Sequence, residues 1–156
     1  MQKERIQINK ERIGVLIEHT LSCIIEWVKI DDTGKLIFED PIDKVEISVH
    51  YGASHAAVSI IIIGLQKKDY VLYKLGINLL HSILERWDEN KKLPSFHFDF
   101  NNFALCVVYD VLKEKEPEIS EKIMHTILST VDSCHETINW LPMRWYVNAK
   151  KFQWTQ

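Results

Sequence analysis

The chain has 156 residues, 46% hydrophobic and 26% charged, so it is long enough to bury a core without disulfides or structural metal and is not a disordered sequence. Its formal charge of −3, with lysines scattered among acids, gives no electrostatic case for nucleic acid. The amino terminus "MQKERIQINKER" lacks the apolar centre of a signal peptide and "AAVSIIIIGL" is too short to span a bilayer, which points to a cytoplasmic protein without a membrane partner; a leader removed earlier would leave no trace.

From Asn9 to about Lys29, the residues Ile13, Leu16, Ile17, Leu21, Ile24, Ile25 and Val28 recur at helical spacing and predict an amphipathic first helix. The segment "DDTGKLIFEDPIDKVEISV" carries turn residues at Asp32, Thr33 and Gly34, then Pro41, and alternates only briefly at Val45, Ile47 and Val49. It reads as a long connection with at most short strands.

Ser54 to Leu65 is almost uncharged, and its four isoleucines suit a strand as well as a helix. The length of the run and the alanines at 53, 56 and 57 favour a second helix, buried on most faces. Asp69 can cap a third, with Leu72, Leu75, Leu79, Leu80, Ile83 and Trp87 on one stripe. Pro94 falls in the loop that follows.

A fourth helix, "FALCVVYDVL", is expected to be capped by Asp99 or Asn101, and a fifth to open at Pro117 and Glu118 with Ile119, Ile123, Ile127, Val131, Cys134 and Ile138 buried. Pro142 can begin a sixth, containing Met143, Tyr146, Val147 and Ala149. Cys23, Cys106 and Cys134 read as small buried hydrophobes rather than disulfide partners. The fold class is thus all-α: an antiparallel array of αα-hairpins, about six helices in one domain spanning 1–156. Helices one, three and five carry a charged face while two and four are mostly apolar, the pattern of outer and inner rows in stacked hairpins.

In such an array every even-numbered helix starts at the same end. The segments entering those helices, "HYGASH" (50–55), "FHFDFNN" (96–102) and "NWLPMRWYVN" (139–148), hold the richest clusters of histidine, aromatic, amide and arginine. Helix N-termini add partial positive charge and free amides, so this rim suits an anionic or hydroxyl-rich ligand. Trp140, Trp145 and Phe98 offer flat faces; Asp99, Asn101, Arg144 and Asn148 offer directional hydrogen bonds; His97, His50 and Tyr51 are the candidate proton-transfer groups. Each has an ordinary alternative: Asp99 or Asn101 as a cap, the phenylalanines at 96, 98, 100 and 103 as core anchors, Arg144 as a surface cation. His50 and His55 are five apart, which is not a zinc spacing, so neither metal nor cofactor is expected.

Paired helices with apolar even members and polar aromatic entries resemble roughly half of an α/α toroid, the fold shared by six-hairpin glycosidases and toroidal polysaccharide lyases. That resemblance implies a carbohydrate-binding or carbohydrate-processing domain. Its lyase-like version fits better, since a glycosidase needs two opposed carboxylates and Asp99 is the one acid in the three segments. The zinc-binding cysteines of lanthionine-synthetase-like toroids and the acidic or tryptophan repeats of terpene-cyclase toroids are missing. Half a toroid leaves its inner row uncovered, so either more chain follows, making this the N-terminal part of a longer protein, or a second copy completes it. The competing expectation is a non-catalytic helical module for protein interaction or dimerisation, which requires no chemistry.

Overall fold

The computed structural model describes residues 10–90 and 98–137. Among them, α1 (Lys10–Glu26) is followed by a hairpin of β1 (Val28–Ile30) and β2 (Leu36–Phe38), then by α2 (Tyr51–Lys67), α3 (Tyr70–Asn90), α4 (Phe98–Leu112) and α5 (Pro117–Thr137). The structure is therefore mostly helical, as the apolar spacing predicts. The sixth helix expected after Pro142 lies outside the described residues.

The first helix ends earlier than its periodicity suggests. Val28, expected on its stripe, instead pairs with Phe38 in the antiparallel β1–β2 ladder, where Ile30 faces Leu36. The intervening turn is organised by Asp31, whose Oδ1 accepts the Thr33 hydroxyl at 2.6 Å and the backbone N–H groups of Thr33 and Lys35 at 2.9 and 3.0 Å. Gly34 supplies the positive φ of 84° that closes it. These bonds hold the Asp31 carboxyl at about 2, the Thr33 hydroxyl being the largest cause.

The second and third helices meet the expectation most closely. Burial takes in Ala53, Ala56, Ala57, Val58, Ile60 and Ile61, so α2 is a helix enclosed on several sides. Lys68, in the left-handed region at φ 57°, ends it. Asp69 then caps α3, accepting the Leu72 N–H at 3.0 Å, so two residues join the helices. Their seam is unusually close at two glycines. A Cβ on Gly64 would meet the Tyr73 backbone nitrogen at 2.6 Å, and one on Gly76 would meet the Ile61 nitrogen at 2.8 Å.

A second hairpin, α4–α5, stacks on the first, with α2 against α4 and α3 against α5. Like ends lie together. Ser54, fourth in α2, bonds Asn101, fourth in α4. Glu116, just ahead of α5, accepts the Tyr73 hydroxyl at 3.0 Å and the Lys74 ammonium at 2.9 Å from the first turn of α3. Ile60, Ile61, Leu79, Leu80, Ile83, Leu84, Leu105, Leu112 and Ile123 form the fully buried centre between the hairpins. Each such side chain contributes about 1.5–3 kcal/mol by leaving water.

Three expectations about burial require correction. Lys10 through Thr20 are exposed along their whole length, including Ile13, Leu16 and Ile17, because only the C-terminal turns of α1, from Leu21 onward, reach the core. Phe103 is 67% exposed rather than a core anchor. Cys106 is an exposed free thiol on the same outward strip of α4, not a buried hydrophobe, while Cys23 is half-buried and free. In a helix as apolar as α4, periodicity does not say which side faces out.

Candidate functional site

The end shared by α2 and α4 gathers the described part of the expected rim. His50 is the N-cap of α2, with extended backbone at φ −83° and ψ 145°, and its Nδ1 accepts the Gly52 N–H at 3.1 Å. This histidine is therefore engaged in ordinary capping chemistry, with Nδ1 as acceptor. Tyr51 follows as the first helical residue; its carbonyl accepts the His55 Nδ1–H at 2.9 Å. The three rings stack in sequence, His50 to Tyr51 with centroids 4.1 Å apart and Tyr51 to His55 at 6.0 Å edge to face.

Deeper between the helices, the Ser54 hydroxyl donates to Asn101 Oδ1. Asn101 is 2% exposed, so it is an internal bridge in this arrangement rather than a residue of an open rim. Its Nδ2 is buried without a hydrogen-bond partner, as is Oδ1 of the adjacent Asn102. Leaving such groups unpaired costs about 1–3 kcal/mol each. The helix starts at Phe98, so the capping role expected of Asp99 or Asn101 is corrected: both fall in the first turn, not ahead of it. His97, Trp140, Arg144 and Asn148 lie outside the described residues.

Sequence reasoning missed the charged system on the outer row. Arg86 of α3 bonds Asp31 of the hairpin turn and lies with Nε 3.1 Å from Glu46 Oε1, pinning two separate parts of the connection to one helix. Tyr73, Lys74 and Glu116 form the second cluster. Burial, then the Glu116 bond, pushes the Tyr73 phenol up to about 12, while the Lys74 bond foremost holds Glu116 below the usual carboxylate range. The signal in the sequence was weak, because the partners lie 40 to 55 positions apart. Neither cluster resembles a metal site, and among the described residues no group of three His, Cys, Asp or Glu side chains is placed to hold an ion. No helix among them is long and apolar enough to cross a membrane.

Comparison with known proteins adds no assignment. No family model matches the chain, and no curated protein or solved structure does so either.

Proposed function

We propose that the chain is a non-catalytic helical module that binds a protein surface, another copy of itself included, through the outward face of α1. The observation that carries this reading is the run Lys10–Thr20, exposed throughout although Ile13, Leu16 and Ile17 share one helical face, with Leu16 64% exposed. A helix stripe that is buried at Leu21 and continues uncovered for two more turns favours a partner over that part. The Phe103, Cys106 and Val107 strip on α4 supports the same reading. Sedimentation and denaturant unfolding of Leu16→Glu test it together. Association that disappears in the variant, with stability unchanged, is the expected result. A wild-type chain that stays monomeric, and a variant that loses more than about 1 kcal/mol, would mean that the face belongs to the fold itself.

A second reading, carbohydrate binding of the toroidal-lyase type, is favoured by one observation: the unpartnered Nδ2 of Asn101, which Ser54 ties to the end of α2 that also carries the His50, Tyr51 and His55 rings. An acidic saccharide would supply acceptors there. In that reading Arg144→Ala weakens binding of an oligouronate, and His97→Ala impairs turnover more than binding. Calorimetric titration that detects no oligouronate binding sinks it.

A further inference from the structure

Where α3, α5 and the β1–β2 hairpin face one another, five ionisable side chains lie in series. Lys122 on α5 sits with Nζ 2.8 Å from Nε2 of His81 on α3. An ammonium has only donors, so Nε2 is the acceptor and the ring proton resides on Nδ1. That nitrogen lies 3.3 Å from Glu85 Oε1, one turn further along α3. Lys35 of the hairpin approaches the other oxygen of Glu85, also at 3.3 Å. Burial pushes the Glu85 carboxyl up, but the Lys35 bond and the charges of His81, Lys35 and Lys122 together hold it below its ordinary value. Glu85 is thus an anion throughout the range in which histidines ordinarily titrate.

The arrangement holds a ready alternative. Glu118 lies one turn back from Lys122 on α5, with Oε1 3.9 Å from Nζ. We propose that His81 is a proton-operated latch between α3 and α5. Neutral His81 accepts the Lys122 N–H and ties the two helices. A proton taken from solvent at Nε2 removes that acceptor and sets two cations against each other. Lys122 then turns to Glu118, while the imidazolium keeps Glu85. One bond between helices is exchanged for one pair within α5, while the existing pair within α3 gains charge, both at i,i+4 spacing. No other group changes protonation.

Glu85 also feels the charge of Lys122, but His81 and Lys35 engage its two oxygens. From the hairpin, Lys35 is the group that faces Glu85, and Arg86, next on α3, is engaged with Asp31 and Glu46. α5 itself carries His125 and His135, and the test must separate them from His81.

Amide hydrogen exchange along α5, corrected for intrinsic rates, reads the latch between pH 8 and pH 5.5. Protection in the wild-type chain should fall about fivefold on acidification, the weight of one modest hydrogen bond. In His81→Gln the side-chain oxygen accepts from Lys122 at both pH values, so protection should stay high and flat. His81→Lys, with a fixed charge, should be weakly protected at both. Nitrogen shifts of the neutral ring should report the proton on Nδ1. A flat wild-type profile, the opposite tautomer, or a pH response that survives in His81→Gln would each overturn the proposal, the last by assigning the response to another group such as His125.

Discussion

The α2–α3 seam and the outward half of α1 each carry an apolar helical face, yet at the first the two backbones come into close contact and the second is uncovered. At the seam, Gly64 and Gly76 let each backbone come up to the neighbouring helix. On α1, Ile13, Leu16 and Ile17 point away from the body, and Gly14 has nothing within 4 Å of where its Cβ would be. Apolar periodicity reports that a face wants covering; whether the rest of the chain covers it depends on how closely a second element can approach. Small residues in register on facing helices make that approach possible.

The contrast breaks most sharply at the glycines. Gly64→Ala or Gly76→Ala puts a methyl within 3 Å of backbone atoms on the neighbouring helix, and each should cost about 2–3 kcal/mol by shifting the urea midpoint. If Gly14→Ala cost as much, the difference between the two regions would be lost; a small gain is expected there instead, since glycine inside a helix is unfavourable by about 1 kcal/mol. The Ser54→Ala change is next in size. Removing the donor leaves Asn101 Oδ1 buried beside an Nδ2 that already lacks a partner, at about 1–3 kcal/mol. Leu16→Glu should be smaller still, within about 0.5 kcal/mol, as befits a side chain in water.

The pH dependence sharpens the picture at the hairpin, the part that α1 leads into. The Asp31 carboxyl titrates lower when folded than when unfolded, so its stabilising contribution is complete above the ordinary aspartate range near 4 and fades as pH falls toward about 2. Carboxyl shifts followed by NMR should show Asp31 titrating well below the ordinary aspartate range, and Asp31→Asn should lose that part of the acid response. Titration at an ordinary aspartate value would mean that the Thr33 and Lys35 bonds do not persist in solution.

Much of the helical layout was legible beforehand because its signals are local. Asp69 caps α3 by a bond three residues long, Pro117 opens α5, and the isoleucine run of α2 is long enough to decide between helix and strand. What escaped notice depends on pairing between distant segments. Nothing near Asn101 in the sequence says that Ser54, 47 positions earlier, will draw it into the interior, so an apparent rim residue is a buried bridge. Arg86 likewise shows its role only once Asp31 and Glu46 are folded against it. Val28 moved from helix to strand because β2 supplied a partner at Phe38. The exposed strip on α4 was hidden by the uniform apolarity of that helix.

The two-residue link at Lys68 and Asp69 has a kinetic consequence. It makes the glycine seam a contact between chain neighbours, cheap in loop-closure entropy, whereas the Ser54–Asn101 bridge and the stacking of α4 and α5 must close much longer loops. The α2–α3 hairpin is therefore the natural folding nucleus. Alanine at Gly64 or Gly76 should slow refolding, whereas loss of Ser54 should chiefly speed unfolding, and α1, held to α2 at its exposed middle by the 2.6 Å Glu18–Lys67 contact, should join last and fray first.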